Sequence, residues 1–169
     1  DVLGEFLQNN QVLFQRVIDV ITDVLEVEIV SFMLVEEVTQ TLRIAFARGL
    51  AEDVLKGARP KVGKGIAGWV AQKGEPLLIK DIRQESTFSE SRFYPNYTTR
   101  SLMSVPVKVN GKTVGVLNAN NKREGGAFDE YDMALFTTFS CLVSLALANT
   151  QLFRQLTHSV EELAHTNVE

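Results

Sequence analysis

The chain contains 169 residues, of which 45% are hydrophobic and 22% are charged, a composition typical of one soluble globular domain that excludes a disordered chain. Lysine and arginine number 17 against 21 aspartate and glutamate residues, and the formal net charge of −4 argues against nucleic acid as a partner. The single cysteine, Cys141, excludes an internal disulfide and any zinc site built on paired cysteines, and it favours a reducing, cytoplasmic location.

The N-terminal segment is predicted to form one amphipathic helix that ends near residue 25. Its apolar side chains recur every three or four positions, which is the spacing of one helix face. The residues with this spacing are Leu3, Phe6, Leu7, Leu13, Phe14, Val17, Ile18, Ile21, Val24 and Leu25. The mostly apolar segment 27–35 then predicts a buried strand, and 41–47 predicts a second one. Because only a short polar segment separates them, we expect an antiparallel hairpin.

The middle of the sequence is less regular. Residues 65–72 are expected to form a short helix, and 76–79 a short strand after Gly74. The polar segment 81–100 contains scattered aromatic residues, among them Phe88. A loop of about twenty residues inside a compact domain is uncommon and is often functional.

Two further strands are predicted at 102–109 and 112–118, joined by Asn110 and Gly111. This dipeptide tolerates positive φ at both turn positions and is the strongest short hairpin signal in the chain. Strands grouped in hairpins, with helices at both ends of the chain, predict an α+β fold with a mostly antiparallel central sheet.

A long C-terminal helix is predicted to begin near Asp129 and to run beyond His165. Asp129 is expected at the N-cap with Asp132 three residues later. Phe128 and Met133 have the spacing of a hydrophobic staple across this helix start.

The same helix carries an apolar seam that predicts a dimer. Its a and d positions, spaced alternately by three and four, are Leu142, Leu145, Asn149, Leu152, Leu156 and Leu163, with Ser159 as a weak position. Beyond about residue 156 the sheet should be exhausted, so an identical helix is the simplest partner. We therefore divide the chain into an N-terminal helix at 1–25, a main domain at 26–156 and an extended coiled-coil linker at 157–169. The alternative is that the seam up to Leu156 faces the core and that the tail frays.

The glycines within 63–68 match the dinucleotide-binding pattern GxGxxG, and Asp81 follows at about the distance of the acid that binds ribose. The pattern also requires a buried strand before the glycines, but 56–61 contains Gly57 and Pro60. We interpret the glycines as a turn into a helix, whose first N–H groups could still face an anionic ligand.

Catalytic groups are sparse in this sequence. The two histidines, His158 and His165, lie in the C-terminal tail, and Cys141 lies in an apolar stretch where we expect a packed, inert thiol. The histidines and the neighbouring Glu161 and Glu162 could approach a metal on one helix face, but a solvated tail is favoured. No nucleophilic triad can be assembled, so we expect neither catalysis nor a metal site.

Aromatic, hydroxyl and cationic side chains gather at the end of the polar loop. They are Tyr94, Tyr97, Thr98, Thr99, Arg100 and Ser101. This combination suits a small polar or anionic ligand. The alternative is that the rings fix the loop on the sheet while Arg100 is solvated.

Several segments together resemble the GAF domain family. They are 65–71 (GIAGWVA), 74–77 (GEPL) with Asp81, 101–106 (SLMSVP) and 115–122 (GVLNANNK). Each is short, but their order and spacing are specific, and the similarity extends over about residues 10–156. The resemblance implies a sheet of about six strands, with the terminal helices packed on one face and a ligand cavity on the other, as in GAF and PAS domains.

The resemblance also implies where a ligand would bind. Ile66 and Ala67 would lie at a phosphate end, and Thr99 would lie in the pocket wall. With the loop residues, the full set of candidate ligand-binding residues is Ile66, Ala67, Trp69, Phe88, Tyr94, Tyr97, Thr99, Arg100 and Ser101.

GAF domains that bind cyclic nucleotides carry an Asn-Lys…Phe…Asp-Glu signature. Asn121, Lys122, Phe128 and Asp132 match it here, whereas Met133 replaces the final glutamate. In that signature the lysine and the aspartate pair to hold structure. Asn121, Lys122 and Asp132 are therefore expected to form a structural clamp, which is poor evidence for any particular ligand.

The resemblance implies a non-catalytic sensor module of a bacterial, cytoplasmic signalling protein, in which ligand binding rearranges the helices of a homodimer. No cofactor is required, and the ligand would be a cyclic nucleotide or another small metabolite. Because the chain starts at Asp1, we expect an excised piece whose partner is a downstream output domain, with no nucleic acid and no membrane contact. The alternative is a ligand-free dimerisation spacer whose cavity is filled by Trp69 and Phe88.

Overall fold

The computed structural model describes residues 2–85, 88 and 100–166, without the side chains at 151 and 153. The helices are α1 (Val2–Asn9), α2 (Gln11–Leu25), α3 (Glu52–Gly57), α4 (Gly65–Lys73) and α5 (Glu130–Thr166). The strands are β1 (Val27–Glu36), β2 (Thr41–Arg48), β3 (Leu77–Ile79), β4 (Leu102–Val109) and β5 (Lys112–Lys122), and a 3₁₀ turn spans Ile82–Gln84. The expected α+β fold is confirmed.

The described strands form one sheet in the order β2-β1-β5-β4-β3, and every neighbouring pair is antiparallel. They number five, whereas the resemblance implied about six. At the outer edge of β2, the chain makes only an isolated bridge between Thr41 and Lys61. Pro60 has no N–H group to extend a ladder there, and the chain turns directly into α4.

The two predicted hairpins are present. Asn110 and Gly111 adopt φ values of 53° and 77°, which are the left-handed values that a two-residue hairpin turn requires. β5 extends to Lys122 instead of ending near residue 118. The polar residues 118–122 ended the sequence pattern, but the ladders to β1 and β4 continue along them.

The two faces of the sheet have different coverings. On one face, α2 packs against β1 and β2, while α5 packs against β4. This side holds the main core, with fully buried side chains such as Phe32, Leu117 and Phe136. On the other face, α4 covers β4 and β5 and buries Val70 against Val116. The alternation along the strands sends successive side chains to opposite faces and thus divides them between the two layers.

The N-terminal segment forms two helices, so the prediction of one helix is wrong. Asn10 separates α1 from α2 with a non-helical φ of −123°. Its side-chain Nδ2 donates to the Phe6 carbonyl at 2.9 Å, and its backbone N–H donates to the Leu7 carbonyl at 3.2 Å. An asparagine that bonds back to the preceding turn competes with helix propagation, which explains the break.

α5 begins with a reciprocal cap. The backbone N–H of Asp132 donates to Asp129 Oδ1 at 2.9 Å, and the backbone N–H of Asp129 donates to Asp132 Oδ2 at 3.0 Å. Phe128 is buried and Met133 is half-buried, and both join the main core. The predicted cap is therefore present, and it fixes the point at which the chain leaves the sheet.

The outward side of α5 is apolar and exposed. Cys141 is exposed, so the expectation of a packed thiol is wrong. The helical rotation places Ser140 and Val143 towards the sheet and turns Cys141 away from it. α5 is long and apolar enough to span a membrane by length and composition alone. Its first half, however, packs on the sheet and supplies the fully buried side chains of Phe136 and Leu147.

Candidate functional site

A half-open cleft of about 280 Å³ lies on the sheet face that α4 covers. Its floor is formed by side chains of β1, β4 and β5, and its roof by residues 64–67 at the start of α4. Leu50, Val54 and Pro60 form an apolar wall. This volume is close to the lower limit of small-molecule pockets, which measure roughly 300–1,000 Å³.

Polar side chains form a ladder across the floor of the cleft. Ser104 Oγ donates to Asn118 Oδ1 at 2.7 Å, and Asn118 Nδ2 donates to Ser31 Oγ at 3.4 Å. Asn120 lies two residues along β5 and lines the same cleft. Sequence reasoning did not select these four residues. The signal was present, because each interrupts an otherwise apolar strand at a position that faces the covered side.

The roof presents the N-terminal end of α4 to the cleft. Lys64 is the N-cap residue and is exposed, and its side chain makes no capping hydrogen bond. Gly68 permits a close approach between α4 and the preceding turn, where the Gly63 N–H donates to the Gly68 carbonyl at 2.8 Å. Free N–H groups at a helix start, together with a lysine, favour an anionic group in front of them.

The structure places the sequence-predicted ligand residues in different environments. Ile66 and Ala67 line the cleft. Trp69 and Phe88 pack edge to face, with ring centroids 6.2 Å apart, in an apolar cluster beside the cleft that also contains Ile79. Tyr94, Tyr97 and Thr99 lie outside the described residues.

The remaining two candidates lie at the junction between the polar loop and β4. Arg100 is exposed, and its carbonyl accepts the Ile82 N–H at 2.9 Å. Ser101 is buried, and its Oγ donates to the Ile79 carbonyl at 2.8 Å and accepts the Phe128 N–H at 2.9 Å. Ser101 therefore ties β3 to the segment that enters α5.

The structure contains the ion pair expected of the clamp. Lys122 Nζ lies 3.2 Å from Asp132 Oδ2, and both side chains are largely buried. The hydrogen bond that Lys122 donates to the Asp132 carboxylate raises the pKa of Lys122. Asn121 is completely buried with a φ of 61°, and Arg123, two residues later, donates its backbone N–H to the Glu26 carbonyl at 2.9 Å. This network joins the end of β5 to the starts of β1 and α5.

A larger groove of about 1120 Å³ runs between the N-terminal helices and the free edge of β2. Several of the charged and amide groups that line it already have partners: Arg43 pairs with Glu36 at 2.6 Å, and Gln15 Nε2 donates to the Ala47 carbonyl at 3.0 Å. We favour the smaller cleft as the functional site because buried polar side chains and a helix start converge there.

Asp81 lies just after the C-terminal end of β3, where it forms a charged turn with Arg83. Its Oδ1 accepts the Arg83 backbone N–H at 2.9 Å, and its Oδ2 lies 2.7 Å from Arg83 Nη2. These hydrogen bonds lower the pKa of Asp81 from 3.8 to about 2. The acid thus caps the 3₁₀ turn at Ile82–Gln84.

Asp81→Asn is expected to make stability less dependent on pH in the acid range. The pKa of Asp81 is lower in the folded chain than in the unfolded chain, so its contribution is complete above about pH 4 and is lost as the pH falls towards 2. The difference in urea midpoint between the original chain and the variant should therefore shrink over this interval. A difference that stays constant from pH 5 to about pH 2 would contradict the assignment.

The described part of the chain contains no group of three or more His, Cys, Asp or Glu side chains that could hold a metal ion. His158 and Glu162 form an exposed pair at 3.1 Å, one turn apart on α5, and neither residue lines the cleft. The prediction of a solvated tail is consistent with the exposure of every described side chain from 154 to 166.

A model of the GAF domain family matches residues 9–147. The chain belongs to the GAF domain family. GAF domains are regulatory and sensor domains, and this GAF domain is a module of that class.

Its curated relatives include animal phosphodiesterases. The dual 3′,5′-cyclic-AMP and -GMP phosphodiesterase 11 of Drosophila melanogaster is 36% identical over 95 residues, which are 55% of this chain and 6% of that protein. The cGMP-specific 3′,5′-cyclic phosphodiesterase of Drosophila mojavensis is 31% identical over 137 residues, which are 78% of this chain and 12% of that protein. The chain thus spans only a small part of these relatives.

Solved structures with the same fold are more distant in sequence. The GAF domain of an Acinetobacter phosphoenolpyruvate-protein phosphotransferase is 20% identical with a TM-score of 0.69, covering 90% of this chain and 93% of that chain. A free methionine-R-sulfoxide reductase from Neisseria meningitidis is 22% identical with a TM-score of 0.67, covering 84% and 78%. At these identities the likeness establishes the fold alone.

Proposed function

We propose that this GAF domain is the non-catalytic sensor part of a longer cytoplasmic signalling protein, and that it binds a small molecule between the sheet and α4. The observation that carries the proposal is the cleft itself, where buried polar side chains lie opposite the uncapped start of a helix. Bound ligand would alter how α4 and the terminal helices sit on the shared sheet, and α5 would carry that change to an output domain.

The charges around the cleft favour a ligand with an anionic end. Lys64 and the first N–H groups of α4 provide positive potential at the roof, and no carboxylate belongs to the described residues that line the cleft. The floor offers hydroxyl and carboxamide groups, which suit a neutral polar part of the same ligand. Cyclic nucleotides combine an anionic phosphate with a neutral polar base. Because the phosphodiesterase relatives are named for cyclic AMP and cyclic GMP, these are the first compounds to test.

The outward face of α5 supports dimerisation as the second part of the proposal. The seam leucines have exposed fractions between 57% and 64%, and the apolar stripe continues beyond the sheet. These residues are Leu142, Leu145, Leu152, Leu156 and Leu163. A second copy of this chain is the occupant that fits, because a heptad seam is self-complementary about a twofold axis.

Cysteine crosslinking tests the dimer geometry. In a Cys141→Ser background, Ser159→Cys places a thiol at a d position of the seam, and Glu161→Cys places one on the opposite side of the same turn. Mild oxidation should give a disulfide-linked dimer with the first variant and little with the second. Equal crosslinking of both variants, or of neither, contradicts the seam.

Ligand binding is tested on the same purified chain. Native mass spectrometry should give a dimer mass together with any retained small molecule, and calorimetry with cyclic AMP and cyclic GMP should show saturable binding of at least one. Binding should also change the crosslinking rate of the Ser159→Cys variant, because the proposal couples the cleft to α5. Binding without any change in that rate would contradict the proposed coupling between the cleft and α5.

The second candidate function is a ligand-free dimerisation spacer. The edge-to-face contact of Trp69 and Phe88 favours it, since these rings fill apolar space next to the cleft. A dimer that carries no retained molecule and binds neither cyclic nucleotide would support the spacer, whereas a retained molecule would exclude it.

A further inference from the structure

A second cleft, of about 640 Å³, lies at the opposite end of α4 from the first one. Three parts of the chain surround it: the turn between β1 and β2, the C-terminal end of α4, and the hairpin between β4 and β5. Because Lys73, Lys108 and Lys112 line it, we name it the lysine cleft. Its volume lies within the range of small-molecule pockets, roughly 300–1,000 Å³.

The lysine cleft carries an excess of positive charge. Glu37 is the single carboxylate among the described residues that line it, and this carboxylate pairs with Lys112. Lys73 and Lys108 are exposed, and neither forms an ion pair with any residue that the structure describes. Two ammonium groups of one cleft are therefore not neutralised by the described part of the chain.

Gly74 leaves room for the ammonium group of Lys108 at the end of α4. The residue ends the helix with a left-handed φ of 68°. A Cβ atom at this position would lie 3.1 Å from Lys108 Nζ and 3.3 Å from Thr113 Oγ1. The ammonium group and the hydroxyl thus lie against the same backbone position, and both can donate hydrogen bonds to one anion.

The sequence around the lysine cleft is also basic. Residues 54–74 contain five lysine and arginine residues and no aspartate or glutamate, although the whole chain has a net charge of −4. A single cation at the end of α4 would be explained by the helix dipole, but a run of five is not. A concave surface that carries one sign of charge concentrates ions of the opposite sign.

We propose that the lysine cleft is a second ligand site, and that it binds a small polyanion with two or more closely spaced phosphate groups. Two ammonium groups that lack a carboxylate partner require at least two negative charges from the ligand. Lysine binds phosphate as a point charge, so the number of charges on the ligand should determine its affinity. The proposal does not depend on the proposed function, since the two clefts share no described lining residue.

Titration with sodium tripolyphosphate, followed by backbone amide NMR at low salt, tests the site. The amide signals of Gly74 and Gly111, which both line the lysine cleft, should shift and saturate with a dissociation constant of about 1 mM or below. Orthophosphate should bind at least about tenfold more weakly, because it carries fewer charges. Equal affinities for the two ions, or no saturation by about 10 mM tripolyphosphate, would overturn the inference.

Two double variants with the same change in charge separate a site from a general attraction. The combination of Lys73→Gln and Lys108→Gln should weaken tripolyphosphate binding about tenfold. The combination of Lys56→Gln and Arg59→Gln removes two charges from outside the cleft and should weaken binding less than about twofold. All four side chains are exposed, so both variants should fold normally. Equal losses in the two variants would mean that net charge alone attracts the anion, and would overturn the inference.

Lys64→Gln distinguishes the two clefts. Lys64 lines the first cleft and does not line the lysine cleft, so its substitution should leave tripolyphosphate binding unchanged within about twofold. A loss of binding in this variant, with shifts at residues 65–67 instead of at Gly74, would place the anion in the first cleft. That result would overturn the second site and would leave the proposed function standing.

Discussion

Phe136→Ala is expected to lower the free energy of unfolding by about 3–5 kcal/mol, which would make it one of the most damaging single substitutions in the domain. The ring is completely buried on the side of α5 that packs on the sheet, in the same core as Phe32 and Leu117. Its removal leaves a cavity between the helix and β4 that the strands cannot collapse to fill. Urea denaturation followed by circular dichroism measures the loss.

Leu145→Ala is the matched control on the opposite side of the same helix. Leu145 is 60% exposed and should cost the isolated fold about 0.5 kcal/mol or less. It should instead weaken self-association, measured by sedimentation at several concentrations, whereas Phe136→Ala acts on folding at every concentration. The assignment of the two sides of α5 would be wrong if Phe136→Ala cost less than about 1 kcal/mol.

Gly68→Ala is expected to destabilise the fold by about 1–3 kcal/mol and to distort the roof of the cleft. A methyl group at this position would overlap the carbonyl oxygen of Lys61 and would also crowd the N–H of Gly63 at 3.2 Å. Both neighbours are backbone, so α4 must move away from the turn that supports it. Because Ile66 and Ala67 are part of that helix start, ligand binding should be lost together with stability.

Gly65→Ala provides the comparison at the same helix start. Nothing lies within 4 Å of a methyl group at this position, but the residue has a φ of 67°. The expected cost is about 1 kcal/mol, from the left-handed backbone alone. Thermal denaturation and calorimetric titration of both variants separate the two effects: Gly68→Ala should reduce binding far more than Gly65→Ala, and similar losses would contradict the close contact as the cause.

Most of the fold could be predicted from local sequence signals. The hairpin at Asn110 and Gly111 depends only on backbone conformations that few residues tolerate, and the structure has them. The start of α5 depends on a side-chain cap within four residues, and this too is local. Such signals act within a few residues and do not depend on tertiary packing. These predictions were therefore correct.

The errors arose where tertiary contacts decide the outcome. Asn10 interrupts a continuous helical pattern through one bond to the preceding turn, and the periodicity of the neighbouring residues does not reveal it. The exposure of Cys141 depends on which side of α5 meets the sheet and could not be read from an apolar run. α3 was not predicted, since its six residues bury no side chain and leave no periodic signal.

The site was only partly predictable for the same reason. Ile66 and Ala67 followed from the resemblance and do line the cleft. Asn118 and Asn120 belonged to a recognised run, yet they were treated as a strand end, because polar residues usually end an apolar strand. Their alternate spacing was the missed clue: residues two apart on a strand share a face, so two amides at this spacing indicate a polar patch inside the fold.

The unbroken length of α5 gives the domain a lever arm. About 18 of its residues, from Asn149 to Thr166, continue past Leu147, the last fully buried side chain among those the structure describes, and they extend for roughly 27 Å. A tilt of about 10° where the helix rests on the sheet would displace its tip sideways by about 5 Å, roughly half the 8–10 Å distance between the axes of two packed helices. A displacement on the scale of single atoms beside the sheet could thus be amplified at the tip into a change in the distance between two paired helices.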